Sequence, residues 1–313
     1  DKRKRPRFVP FVLLTAGLGF SAAGQTTTPE DLIAGIDARI EQLFLAESGD
    51  PYGLVKVAKS LDDGRPYYAR SYSFSVVGYA ARCLRLNESL AEANARLQQN
   101  ARYYLRELTA ADEAEILPSE AESNTNTYAR IVDRDSLHWH ADMVLRLIEM
   151  YGTSGSVAPG RITPETQAKC LEPLWLYVSL VSRLEKAEYL NSKTWHLWES
   201  ENHHVQCFST AWHFSKIAKD LPAYQNRTYD NGATPAELYE AWNAYFIEYV
   251  RERFRKGLFV EMMSKGYNGE SIRGIYNFHD FGDAEVKKHA GMYLDSLSSH
   301  SHVIGAHFMR EVQ

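Results

Sequence analysis

The chain has 313 residues, 44% hydrophobic and 24% charged, which is enough for one large domain with a substantial core. Its net charge is -5 and its basic residues are scattered except at the extreme N-terminus, so no basic face favours a nucleic-acid partner. Cys83, Cys170 and Cys207 are too few and too widely spaced for a disulfide scaffold or a zinc set, and Cys83 and Cys207 fall in apolar helical patterns that predict buried thiols.

Residues 1–23 read as an export signal. Lys2-Arg3-Lys4-Arg5-Pro6-Arg7 is the basic region, Phe8 to Phe20 the apolar region, and Ser21-Ala22-Ala23 supplies small residues for cleavage after Ala23. The apolar run is short for a membrane span, the alternative being an uncleaved anchor. The expected protein is therefore secreted or periplasmic, with residues 24–313 as its folded domain and no stable membrane span after signal cleavage. A chain that begins with Asp1 rather than Met is expected to be processed or partial.

Beyond residue 23 almost every periodic segment has helical spacing. Thr28-Pro29-Glu30 opens a helix to about Glu47, with Leu32, Ile33, Ile36, Ile40 and Leu43 on one stripe. Helices are expected over Tyr72–Leu86, Ser89–Leu108 and Asp135–Tyr151, and from Thr163-Pro164-Glu165 to about Tyr189. Further helices are expected over Ser200–Lys219, from Thr234-Pro235-Ala236-Glu237 to Lys256, over Ser271–His279 and over Ala284–Ser299. In the three Thr-Pro openings, Thr caps free N–H groups, Pro suits the first turn and Glu meets the helix dipole. Ala110–Tyr128 and Gly152–Pro164 read as long loops. About nine helices arranged as hairpins, with no strand meander, predict an all-α fold: an α/α toroid, complete or incomplete.

Two stretches carry the chemistry. Trp198-Glu199-Ser200-Glu201-Asn202-His203-His204 sets an amide beside an imidazole at a helix start, with Ser200 as a plausible N-cap. Glu261-Met262-Met263-Ser264-Lys265-Gly266-Tyr267 places a phenol in a Gly-bounded turn before a helix. At 100° per residue, Gln206, Ser209 and His213 fall within about 60° of Asn202, so one face of this helix is polar, while Phe208, Ala211 and Trp212 lie mostly opposite. Asn, His and Tyr are the groups needed to take a proton from the carbon beside a carboxylate and give one to a leaving oxygen. In this scheme Asn202 donates to the carboxylate, His203 acts as base or stabiliser, and Tyr267 acts as acid. Trp198, Gln206, His213, Glu261, Lys265 and Arg273 are the candidate substrate-binding residues. For each residue alone the plainer reading is structural: a helix-start Asn is often a local cap, a His there a satisfied side chain, and a Tyr after Gly a packing residue.

The adjacent Asn202-His203, the following helix and then Tyr267 resemble the alginate lyases and related heparinase-like uronate lyases built on an α/α toroid. The resemblance covers roughly Trp195–Leu297, about a third of the chain. It implies β-elimination on an acidic, uronate-containing glycan. The chain departs from that pattern where an Arg is usual just before the Tyr: Lys265 lies two residues before Tyr267 and Arg273 six after it. Those lyases often carry a C-terminal β domain, whereas this chain stops at Gln313 in helical register, which is expected if that domain is absent or the chain truncated.

No His-Glu-x-x-His, Cys pair at zinc spacing, Gly-rich phosphate loop or nucleophile elbow occurs, so neither a metal nor a cofactor is expected. Two alternatives stay open beside the lyase. One is an inverting glycoside hydrolase using two carboxylates from Glu201, Glu261, Asp280 and Asp283. The other is a non-catalytic glycan-binding protein, whose 19 Tyr and 6 Trp would stack on sugars.

Overall fold

The computed structural model describes residues 69–109, 138–181, 200–229, 232–256 and 267–311, together with positions 28, 30–31, 34–35, 38–39 and 42. The chain divides into two compact units, residues 1–43 and 44–313. In the first, the described positions from 30 to 42 are helical, and Thr28 opens the helix with a reciprocal box: its N–H donates to Asp31 Oδ2 at 3.1 Å, and the Asp31 N–H returns to Thr28 Oγ1 at 3.2 Å.

Among the described residues the regular secondary structure of the second unit is all helical, with no strand. Its helices are α1 (Ala69–Leu86), α2 (Leu90–Thr109), α3 (His138–Tyr151), α4 (Pro164–Val181), α5 (Glu201–Ala218), α6 (Pro235–Lys256), α7 (Tyr267–Phe281) and α8 (Ala284–Glu311). The two other Thr-Pro openings work as the first does. Thr163 Oγ1 accepts the Thr166 N–H at 3.2 Å, and Thr234 Oγ1 accepts the Glu237 N–H at 3.3 Å while Glu237 Oε2 accepts the Thr234 N–H at 2.7 Å. Asp283 caps α8 through the Val286 N–H at 3.0 Å. Ser200 holds the N-cap position of α5 in extended backbone, but its side chain makes no capping bond.

Several helices differ in extent from the sequence expectation: α1 starts three residues earlier, at Ala69, α3 is described from His138, three later, and α4 is described to Val181 rather than to about Tyr189. α7 starts at Tyr267 rather than Ser271, so Tyr267 opens the helix instead of standing in a turn before it, and α8 runs on to Glu311. The first turn of α7 accommodates Gly269 because a glycine at a helix start breaks no interior bond ladder, and Glu270 beside it complements the dipole. The expected loop at Gly152–Pro164 is present, and glycine is needed there. A Cβ on Gly152 would lie 2.5 Å from the Ile148 carbonyl oxygen, and Gly160 has φ of +81°. The expected loop at Ala110–Tyr128 and the expected signal at residues 1–23 lie outside the described residues.

Contacts between helices show their directions. α3 and α7 run parallel, joined by Asp142 to Arg273 and then Arg146 to Asp280. α5 and α7 also run parallel: Gln206 meets Glu270, Ser209 meets Gly274, Trp212 meets Phe278 and His213 meets Phe281. α6 runs antiparallel to α5, with Trp212 beside Tyr239 and Glu201 beside Arg253. α8 runs parallel to α6, from Asn243 beside Asp283 to Tyr249 beside Tyr293. α2 and α4 are likewise parallel, Asn94 bonding Thr163 and Gln98 bonding Thr166.

α5 is the centre of this packing. All its residues but His203, Lys216 and Ile217 are buried. Its apolar side joins α6 and α7 in an aromatic cluster, where Phe246 stacks on Phe278 at 3.8 Å, Trp212 lies 4.2 Å from Phe278 and Phe208 meets Tyr245 edge-on at 5.2 Å. The three cysteines are buried thiols outside any disulfide, and burial pushes the Cys170 thiol up to about 12. No helix among the described residues is long and apolar enough to cross a membrane.

Candidate functional site

Asn202 and His203 are the second and third residues of α5, and Tyr267 is the first of α7. One turn further on, the Gln206 amide donates to the Glu270 carbonyl oxygen. Because the two helices are parallel, this contact sets their opening turns side by side at one end of the unit. There Asn202 is buried, His203 is half-buried and Tyr267 is 53% exposed. This end also carries the positive ends of two helix dipoles, which favour an anion. The close approach depends on Gly274, whose added Cβ would fall 2.7 Å from Ser209 Oγ and 3.1 Å from Val205 Cγ1.

The polar stripe along α5 lies where the sequence puts it, but not facing open space. Gln206, Ser209 and His213 are fully buried against α3 and α7. Ser209 Oγ donates to the Gln206 carbonyl oxygen at 3.2 Å, and His213 Nε2 lies 3.5 Å from Glu149 Oε1. Gln206 and His213 therefore act between helices rather than at a surface a polymer reaches. Burial holds the His213 imidazole below its ordinary range, more than the neighbouring Glu149 raises it. Burial alone would raise the Glu149 carboxyl, but its bonds to His213 and Lys216 outweigh this and hold it at about 2.

Arg273 is engaged twice. It pairs with Asp142 Oδ2 at 3.0 Å and with Glu270 Oε2 at 2.8 Å. Asp142 is fully buried, and desolvation lifts its carboxyl above the ordinary range despite Arg273. Beside it, Asn277 donates to the Asp142 carbonyl oxygen at 3.3 Å and accepts from Arg146 at 3.1 Å. A guanidinium held by two carboxylates is a poor binder for a third, so the positive field for a substrate carboxylate must come from elsewhere at this end.

Glu201, directly before Asn202, makes a fully buried ion pair with Arg253 of α6, Nε to Oε1 at 3.0 Å. The Tyr249 hydroxyl donates to the same oxygen at 3.0 Å, and the guanidinium lies 4.3 Å from the Tyr249 ring. Next to it, His204 Nε2 and the Tyr245 hydroxyl are 2.5 Å apart. These contacts pin the first turn of α5 from behind. The sequence reading missed Arg253, yet it continues the stripe of Tyr245 and Tyr249 at four-residue steps. A lone cation on an apolar stripe signals a buried partner.

Trp198, Glu261 and Lys265 lie outside the described residues. Among the described residues no group of three His, Cys, Asp or Glu side chains is placed to hold a metal ion. Comparison of the chain with protein-family models, curated proteins and solved structures finds no match.

Proposed function

We propose that the protein is a secreted or periplasmic polysaccharide lyase that cleaves an acidic, uronate-containing glycan by β-elimination, on an α/α toroid. The arrangement that supports a toroid is the alternation of directions. α3, α5 and α7 run one way, while α6 and α8, their hairpin partners, run the other. The observation that carries the function is the pairing of the opening turns of α5 and α7, which sets Asn202, His203 and an exposed Tyr267 at one end.

In the proposed reaction the positive ends of α5 and α7 receive the uronate carboxylate, which acidifies the adjacent C–H, and the role given to Asn202 requires the opening turn of α5 to part, since its amide is buried as Gln206 is. His203 takes that proton as base; where it only stabilises the charge that forms, the Tyr267 oxygen, ionised, takes the proton and later passes it on. The electron pair makes the new C=C bond, the glycosidic C–O bond breaks, and the Tyr267 hydroxyl gives its proton to the departing oxygen. The products are one shortened chain and one chain ending in an unsaturated sugar. Trp198, Glu261 and Lys265 are the further residues assigned to substrate binding in this scheme.

The inverting hydrolase is the weaker reading because three of its four candidate carboxylates are engaged. Glu201 is paired with Arg253, Asp280 with Arg146 and His279, and Asp283 caps α8 and meets Asn243. Screening uronate polymers for ultraviolet-absorbing unsaturated ends tests the lyase. Their formation supports it, and reducing ends without unsaturation would instead promote the hydrolase.

A further inference from the structure

Away from the opening turns of α5 and α7, helices α6 and α8 flank an open groove of about 330 Å³. That volume is at the lower end of the range for small-ligand sites, roughly 300–1,000 Å³. One wall carries Arg251, Phe254 and Arg255, and the other carries Lys288, His289 and Met292. Phe254 and Met292 are 42% and 46% exposed, large apolar groups left in solvent on facing walls. Among the described lining residues Glu285 is the one carboxylate beside three cations, Arg251, Arg255 and Lys288. His289 is held by its Nδ1 contact with the Glu285 carbonyl oxygen at 2.9 Å.

We infer that this groove is a second, non-catalytic binding site for an acidic oligosaccharide; the choice of a uronate glycan as ligand rests on the lyase reading. Arg251 and Arg255 stand four residues apart on α6, one helical turn or about 6 Å along the wall. Two guanidinium groups one turn apart on the same wall straddle a single uronate residue, so one ligand carboxylate is met from both sides. Arg251 is held by Glu248 in an exposed pair, while Arg255 is held loosely, at 3.5 Å, by the half-buried Glu252, whose shorter contact is with Lys256 at 2.6 Å. Exposed pairs of this kind are worth little, so a ligand carboxylate exchanges into them at small cost. Phe254, exposed in the lining, supplies apolar surface for a pyranose, and Lys288 adds a third cation from the opposite wall.

The lining favours a glycan over an acidic peptide. Peptide anchors need a deep, desolvated apolar pocket, and here Val250 is the one buried apolar residue of the lining. The groove also lies on the same stretch of α6 as Arg253, which reaches Glu201 at the start of α5. A helix is about 10 Å across, so groove and opening turns are separated by about one helix diameter.

The test follows the Met292 methyl signal by NMR in protein labelled at methionine methyls, with Met292→Leu giving the assignment. The Tyr267→Phe variant is used so that the probe survives, and galacturonate and mannuronate hexamers are titrated against neutral maltohexaose and hexaglutamate. The Met292 signal is expected to move with at least one uronate hexamer and with neither control. Arg251→Glu with Arg255→Glu is expected to weaken that binding about tenfold, the size for two screened charge contacts made repulsive. Lys288→Glu is expected to weaken it less while leaving the melting temperature unchanged. No movement with either uronate hexamer, equal movement with hexaglutamate, or unaltered affinity in the double variant overturns the proposal. Unsaturated product from the wild-type protein on the same hexamers is read separately. Product without a Met292 response overturns the groove alone, and a Met292 response without product overturns the lyase alone.

Discussion

α5 meets two unlike neighbourhoods. On one side Phe208 and Trp212 enter the aromatic cluster with Trp242, Tyr245, Phe246 and Phe278. On the other, Gln206 and His213 enter a polar seam with Glu149 and Glu270, which continues between α3 and α7 through Asp142, Arg146, Arg273 and Asp280. The aromatic side supplies burial, which is strong but weakly directional. The seam adds less net stability, because its charges are desolvated as they pair. Its bonds are directional, and they fix how far α5 and α7 slide along each other. The register of Asn202 and His203 against Tyr267 is therefore a product of the seam, while the persistence of the fold is a product of the aromatic side.

The largest effect separating the two belongs to the aromatic side. Phe278→Ala removes a ring stacked on Phe246 at 3.8 Å and packed against Trp212. It should cost about 3–5 kcal/mol in chemical denaturation. A domain has roughly 5–15 kcal/mol in total, so this variant should be near unfolding. A loss under about 1 kcal/mol would mean that the cluster is not the source of stability.

Within the seam, Arg273→Met leaves the buried Asp142 carboxyl without its guanidinium. The expected loss is at the low end of roughly 3–5 kcal/mol, since Asp142 is already shifted toward protonation and Arg273 is partly exposed. Asp142→Leu together with Arg273→Met should recover most of that loss, because replacing a buried pair with apolar groups is close to neutral. A double variant no more stable than Arg273→Met would show that the pair is worth more than its desolvation.

The smallest effect is one of pH. Burial depresses the folded-state pKa of His213 below its ordinary 6.5, with Glu149, Lys216 and Arg146 as its charged neighbours. An unfolded chain then binds more protons just below 6.5, so the contribution of His213 is complete above that pH and is lost as pH falls through the folded value. Glu149 adds a second window, from its ordinary 4.5 down to about 2, again with loss toward acid. Melting temperature measured from about pH 7 to about pH 5 should fall in the wild type and fall less in His213→Gln. Equal slopes would place the acid sensitivity elsewhere.

The helix starts are legible because their signals are local. Thr28, Thr163 and Thr234 each cap the residue three positions on, a relation contained in four letters of sequence. The polar stripe is legible for the same reason, since Gln206, Ser209 and His213 share one helix face. What faces that stripe is not. Glu270 is 64 residues from Gln206 and Glu149 is 64 from His213, and no local pattern states that these helices meet. Exposed polar faces and faces buried against other polar faces look alike in one sequence. The sequence pattern places the start of α7 four residues late because Gly266 and Gly269 read as turn signals, although glycine in an opening turn interrupts no interior hydrogen bond.

The most direct measurement of the central claim is the rate of unsaturated-product formation from a uronate polymer by wild type and by Tyr267→Phe, with melting temperature recorded for both. Tyr267 is exposed at the start of α7, and the substitution removes only its hydroxyl. β-Elimination with Tyr267 as the acid predicts a drop in rate of about 100-fold or more, the usual size of a general-acid contribution, with an unchanged melting temperature. An equally active Tyr267→Phe protein would contradict it.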